Sequence, residues 1–214
     1  MTSPAFPTAP RFGLLKPSAS AIATFRQLNT TAPFSYTSIG ASATGRPPGY
    51  RVDHNRIHLG FGEDVWRRAR IALHRWEMFP APWAAIRPDD EPIQPGLTLT
   101  MLAHACGLWW MSGCRIAYVI EESAPVRRSG FAYGTLTSHV EQGEECFMIE
   151  MLEDGSVWYD LRAFSRPRFW PVRLTWPLAR RLQKRFVRES LATLRRIASA
   201  ETPVPRTSSP SPAH

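Results

Sequence analysis

Gly130-Phe-Ala-Tyr-Gly-Thr-Leu-Thr-Ser-His139 runs straight into Val140-Glu-Gln-Gly-Glu-Glu-Cys-Phe147, and Val157-Trp-Tyr-Asp-Leu-Arg-Ala-Phe-Ser-Arg-Pro167 follows shortly after. These are three runs rich in aromatic and β-branched residues, separated by polar turns, and they read as neighbouring strands. Glu153-Asp154-Gly155 is a hairpin turn between the last two. Side chains alternate along a strand. Trp158, Asp160, Arg162 and Phe164 therefore share one face, and the more apolar set Val157, Tyr159, Leu161 and Ala163 shares the other. Gly130, Ala132 and Gly134 also lie on one face, where small residues admit another element closely.

Working outward, Arg115-Ile-Ala-Tyr-Val-Ile-Glu121 is a further strand, and Leu97 to Cys106 another. Leu108 to Gly113 reads as a turn or a short strand, and Tyr50 to Leu59 as the first strand. Gly60 and Gly62 end that strand. Glu63 and Asp64 then open a helix, since acids favour the positive end of its dipole. Val65, Ala69, Ala72, Leu73 and Trp76 recur at three-to-four spacing, which predicts a helix over 63–78, stopped by Phe79-Pro80-Ala81-Pro82. A second helix spans about 175–197. Its stripe of Leu178, Leu182, Phe186, Val187, Leu191 and Leu194 is expected against a sheet, and Arg181, Lys184, Arg185, Arg188 and Arg195 fall on the opposite arc. The order of strand, helix, strands and long helix is that of an α+β chain, with a curved antiparallel sheet wrapped around a long C-terminal helix.

Composition bounds the rest. The chain has 214 residues, 43% of them apolar, enough for one domain with a sizeable core. Its prolines crowd the ends, so 1–33 and 199–214 are expected as disordered tails around a folded unit over 34–198. The net charge of +8 is concentrated. Ten basic residues lie between Arg166 and Ile197 against a single acid, Glu189, so the basicity belongs to one element and does not mark a nucleic-acid-binding protein. Cys106, Cys114 and Cys146 include no CxxC pair, which argues against a disulfide framework and for a reducing, cytoplasmic setting. No run of roughly 18 apolar residues suggests a membrane span, and the N-terminus lacks the pattern of a signal peptide.

Several strings together resemble the domain-of-unknown-function family DUF1990. They are Phe34-Ser-Tyr-Thr-Ser-Ile-Gly40, Pro48-Gly49-Tyr50, Trp76-Glu77-Met78, Cys114-Arg115 with Tyr118, Gly130 to Phe147 and Trp158 to Pro167. The resemblance covers most of 34–197. One departure is Thr137-Ser138-His139-Val140, where a proline-containing turn is expected. The family looks like a distant relative of the helix-grip group, which includes START lipid-transfer domains, polyketide cyclases and the birch-pollen allergen. That resemblance implies a helix-grip fold with a cavity for a hydrophobic ligand. It implies no particular reaction, because the group holds both binders and enzymes.

Tyr118, Tyr133, Trp158 and Arg162 lie on neighbouring strand runs, and in such a fold could line the cavity and orient a ligand's polar end. Cross-strand packing, with Arg162 on the outer face, is the plainer reading. Glu145 is the expected partner of an inward Arg162, because a buried guanidinium cannot shed its proton. Glu144 and Glu145 could supply an acid–base group; a strand-start pair facing water is the simpler alternative. His139, Glu141, Glu144 and Glu145 straddle a turn, which disfavours a metal site. His54 and His58 would stand about 13 Å apart on a strand, too far to share one ion. No phosphate loop, nucleophile elbow or zinc-helix motif is present, and no cofactor is called for.

These readings converge on a binding protein for a small hydrophobic or amphipathic molecule. One alternative is an enzyme of cyclase or hydrolase type using a cavity Glu or Tyr. Another is a protein or membrane-surface adaptor acting through the basic helix. A solvated cationic face is preferred here over contact with a membrane or specific nucleic acid.

Overall fold

The computed structural model describes residues 6–45, 47–79 and 82–200. Eight strands form the sheet: β1 (Arg11–Gly13), β2 (Arg51–Phe61), β3 (Ala84–Arg87), β4 (Thr98–Ala105), β5 (Leu108–Glu122), β6 (Arg127–Thr135), β7 (Glu141–Met151) and β8 (Ser156–Pro167). The helices are α1 (Ala19–Leu28), α2 (Ala41–Thr44), α3 (Glu63–His74), α4 (Trp170–Leu174) and α5 (Trp176–Ala198). The sheet runs in the order β2-β8-β7-β6-β5-β4-β3, and every pairing is antiparallel. It curves around α3 and α5, which makes this an α+β helix-grip fold.

Strand parity separates two faces. On the inner face Phe131, Tyr133, Phe147, Ile149, Tyr159 and Leu161 join one core with Trp66 and Leu73 of α3 and Leu194 of α5. On the outer face Ala132, Cys146 and Met148 form a smaller cluster beside Tyr118 and Ile120. Gly134 lies on this outer face, where a Cβ would overlap the Tyr36 hydroxyl. The expected close approach is therefore made by the segment that carries Phe34 and Tyr36.

The long strand β5 has a divided role. It pairs with β4 through Leu108–Arg115 and with β6 through Cys114–Glu122, with a bulge between Ile116 and Tyr118. Only Cys114 and Arg115 are shared by both ladders. The run Leu108 to Gly113 is thus the first half of a 15-residue strand rather than a turn.

Three other expectations are corrected. The segment expected as an N-terminal tail contributes β1, which pairs with Trp109–Met111, and α1, capped by Ser18 Oγ accepting from the Ala21 N–H. Phe25 of α1 is fully buried against Leu102 and Met111, so one amphipathic turn outweighs the proline-rich composition. Residues 1–5 and 201–214 lie outside the described residues. The first predicted helix ends at His74, and Trp76 takes a positive φ of 59°. On α5, Phe186, Val187, Leu191 and Leu194 pack inward as expected, but Leu178 is exposed. No helix among the described residues is long and apolar enough to cross a membrane.

Candidate functional site

Between the inner sheet face and α5 lies a cavity of about 1200 Å³. Ile57, Phe79, Met101, Leu161, Phe186 and Leu191 supply much of its apolar wall. Its polar groups include one rung of the sheet, Glu141 and Ser165 beyond it, and Arg180 and Gln183 of α5. Asp53 pairs with Ala163, Ala163 with Glu145, and Glu145 with Tyr133, so these residues of β2, β8, β7 and β6 lie side by side. All four line the cavity. Ala163, with only a methyl group, separates the two carboxylates and leaves the space above it open.

The hydrogen bonds of this rung are specific. Tyr133 Oη donates to Glu145 Oε2 at 2.7 Å. Arg180 of α5 grips Asp53 through both guanidinium nitrogens, at 2.7 and 2.9 Å, and donates to Gln183 Oε1 at 2.5 Å. Gln183 Nε2 in turn donates to Glu141 Oε2 at 2.5 Å and reaches Ser165 Oγ at 3.4 Å. Three carboxylates, Asp53, Glu141 and Glu145, thus stand near two guanidinium groups, Arg180 and Arg51, both of which pair with Asp53.

The electrostatics follow from that count. Burial raises Glu145 to about 7; the Tyr133 hydrogen bond opposes the rise, and Glu141 and Asp53 add to it. Burial also raises Glu141 to about 7, against the pull of Ser165, Gln183 and Arg180. Near neutral pH each can accept or donate a proton. Glu145 is half-buried, and the surface it keeps opens into the cavity. His139 is held otherwise. Its Nδ1 accepts the Glu141 N–H at 2.9 Å, and burial lowers its pKa to about 4, so the ring is neutral.

The residues singled out in the sequence are divided between the two faces. Tyr133 and Glu145 meet in the cavity, whereas Tyr118, Trp158 and Arg162 lie on the outer face. There Arg162 donates to Asp160 Oδ1 at 2.7 Å and to the Ala43 carbonyl at 3.2 Å, and does not meet Glu145. Asp160, fully buried, also bonds His54 Nε2 at 2.8 Å. Tyr118 Oη pairs with Ser42 Oγ at 2.7 Å, and Arg56 stacks over Trp158. The cause is parity: Arg162 belongs to the less apolar set of its strand, and the bulge before Tyr118 sets that side chain outward. Glu144 is no solvated strand-start residue either. It is buried in mid-β7 and accepts from Tyr36 Oη, the Gly40 and Ser42 N–H groups and Ser42 Oγ, at 2.6, 2.9, 3.0 and 2.5 Å.

Asp53, Glu141, Arg180 and Gln183 belong to the cavity but were not singled out as ligand-binding residues from the sequence. For two of them a signal existed. At 100° per residue, Arg180 and Gln183 fall on the arc of Val187, Leu191 and Leu194, so they are polar residues on a buried face. Among the described residues no group of three His, Cys, Asp or Glu side chains is placed to hold a metal ion.

Comparison with known proteins supplies the lineage. A "UPF0548 protein" of Deinococcus radiodurans is 34% identical over 200 residues, spanning 87% of this chain and 98% of its own. One of Dictyostelium discoideum is 35% identical over 151 residues, 66% of this chain and 69% of its own. Among solved structures, Ara h 8.0201 is similar in outline, with a TM-score of 0.46 at 10% identity over 70% of this chain and 98% of that one. A hypothetical protein of Helicobacter pylori, jhp0584, has the same TM-score at 11% identity, over 75% of this chain and 98% of its own. The family model described as "Domain of unknown function (DUF1990)" matches residues 35–193, and the chain belongs to that family.

Proposed function

We propose that this protein binds a small hydrophobic or amphipathic molecule in the cavity between the sheet and α5. The observation that carries this reading is a cavity of about 1200 Å³ whose wall is mainly apolar and whose polar groups include the rung of Asp53, Glu145 and Tyr133. Sites for drug-sized ligands occupy roughly 300–1,000 Å³ and share this distribution. An apolar body gains from leaving water for such a wall. Tyr133, Glu145 and the Asp53–Arg180 pair then orient its polar end. The three cysteines are free, which fits a reducing compartment, and we place the protein in the cytoplasm.

An environment-sensitive apolar dye tests this reading. Saturable binding at one site is expected, and Ala163→Trp, which fills the rung, should abolish it while cooperative unfolding is retained. Leu161→Ser, which makes the wall polar, serves as a second variant. Absence of saturable binding, or equal binding by wild type and both variants, sinks the proposal.

One observation favours a second reading, an enzyme of cyclase or hydrolase type. Glu145 sits near neutrality beside a tyrosine hydroxyl inside the cavity, as an acid–base group would. Its mark would be chemical turnover of a bound ligand, lost in Glu145→Gln while binding persists.

A further inference from the structure

The connection between β6 and β7 lies at the end of the sheet where β8 leads into α4. Three pieces of chain meet there. Arg168 Nη1 donates to the carbonyls of Thr8 and Thr137, at 3.0 and 2.5 Å, which ties the N-terminal segment and the β6–β7 connection to the start of α4. Cys106, Trp110, His139, Pro171, Thr175 and Leu178 line the cavity at this end. Phe12 of β1 stacks on Trp110 with ring centroids 5.0 Å apart.

The stretches on either side of this junction expose large apolar side chains. Leu14 is 78% exposed, Leu15 85%, Trp170 67% and Leu174 75%, and Phe12 and Leu178 are exposed as well. They come from two separate stretches, one in and following β1 and the other running from α4 into α5, and the Arg168 hydrogen bond to Thr8 ties these stretches together. Such a patch marks a contact surface rather than ordinary exposure.

The charge around the rim has one sign. Segments 6–33 and 166–188 contain no Asp or Glu, but three and eight basic residues respectively. Acids from elsewhere neutralise Arg26 (Glu91), Arg180 (Asp53) and Arg185 (Glu189). Arg173, Arg181 and Lys184 are left exposed with no acidic partner shown for them among the described residues, and the exposed Arg188 has only an attraction to Glu189, which Arg185 already binds.

We infer that the rim formed by Leu14, Leu15, Trp170, Leu174 and Leu178, with Arg181, Lys184 and Arg188 beside it, docks on an anionic phospholipid surface. Exposed Leu and Trp side chains lower their free energy by entering the boundary between headgroups and acyl chains, and cations beside them pair with anionic headgroups. RNA would match the charge but not exposed leucines, which offer no ring for base stacking. Such docking goes beyond the cavity reading, because it needs no ligand. From the sequence alone, the cationic arc of α5 read as a solvated face; the exposed Trp170, Leu174 and Leu178 at and just before its start change that reading.

Cosedimentation of the full chain with vesicles tests the inference. Vesicles of phosphatidylcholine containing about 30% phosphatidylserine should bind the protein, and pure phosphatidylcholine should bind it far less. Arg181→Gln/Lys184→Gln/Arg188→Gln should weaken binding to the anionic vesicles on the order of a hundredfold. Leu14→Ser/Leu15→Ser/Leu174→Ser should weaken it about tenfold or more. Every substituted side chain is exposed or at an edge, so both variants should keep the wild-type unfolding midpoint. Absence of binding to anionic vesicles at low salt overturns the inference. So does binding that the leucine variant leaves unchanged, which would mean charge attraction alone. Concentration-dependent self-association that the leucine variant abolishes, without vesicle binding, would show instead that the rim pairs two copies of the chain. Dye binding measured without vesicles reads the cavity independently, so failure of either idea is recognised by itself.

Discussion

Glu144 and Glu145 are adjacent in β7, carry the same functional group and have opposite roles. Glu144 points outward and accepts four hydrogen bonds, from Tyr36, Gly40 and Ser42, which bind the segment before β2 onto the sheet. Glu145 points inward, accepts one from Tyr133, and opens its remaining surface to the cavity. A carboxylate whose lone pairs are all engaged serves structure. One left partly unengaged in a poorly solvated space is available to a ligand or a proton. A step of one residue along a strand is enough to separate these roles.

The largest expected break in this comparison is Glu144→Ala. It strands the Tyr36 hydroxyl and two backbone N–H groups, and should cost about 3–5 kcal/mol in urea denaturation. A loss under about 1 kcal/mol would show that the outer cluster is not a structural clasp. Next comes Arg162→Leu, also on the outer face. It leaves the fully buried Asp160 with His54 as its remaining side-chain partner and should cost about 1–3 kcal/mol. Dye binding in the cavity should be unchanged, because Arg162 is on the other side of the sheet; a large drop in dye affinity would contradict the division of the two faces.

The smallest effect is the most informative about Glu145. In the folded protein its pKa is about 7, against an ordinary value of 4.5. Between those values the native state binds more protons than the unfolded state, so this group's contribution to stability is lost as pH rises through that window. Glu145→Gln removes the contribution. The variant should gain on wild type by on the order of 1–2 kcal/mol between pH 5 and pH 8. Glu141 acts in the same window and His139 has the opposite sign, since its folded pKa is lowered to about 4. Both are present in each protein, so the difference between the two denaturation series reports Glu145 together with its coupling to Glu141. A difference independent of pH would place Glu145 in contact with bulk water.

The strands and their neighbours were legible because alternation and turn residues are local signals. Val157, Tyr159, Leu161 and Ala163 did mark the inner face of β8. The same parity already assigned Arg162 outward, but a charged residue among aromatics suggested a site. Tyr118 could not be oriented, because a bulge shifts the register between Ile116 and Tyr118 without any glycine or proline to announce it. Leu178 was misjudged for a related reason. A helix buries the arc that its neighbours cover, here around Val187 and Leu194, and Leu178 stands almost half a turn away. Segment 6–33 was lost to its prolines, because the burial of Phe25 depends on Leu102 and Met111, far along the chain.

The divided strand β5 has a mechanical consequence. Its two ladders overlap only at Cys114 and Arg115, beside the bulge. The half-sheet β3–β4 and the half-sheet β6–β7–β8–β2 are therefore leaves joined along a short spine. Bending at that spine disturbs few ladder bonds, whereas bending anywhere along the β7–β8 pairing would disturb many. Met101 and Trp110 line the cavity from one leaf, and Leu161 and Tyr133 from the other. The aperture between the leaves can thus follow the girth of its contents while the rung of Asp53, Glu145 and Tyr133, carried wholly on one leaf, keeps its spacing.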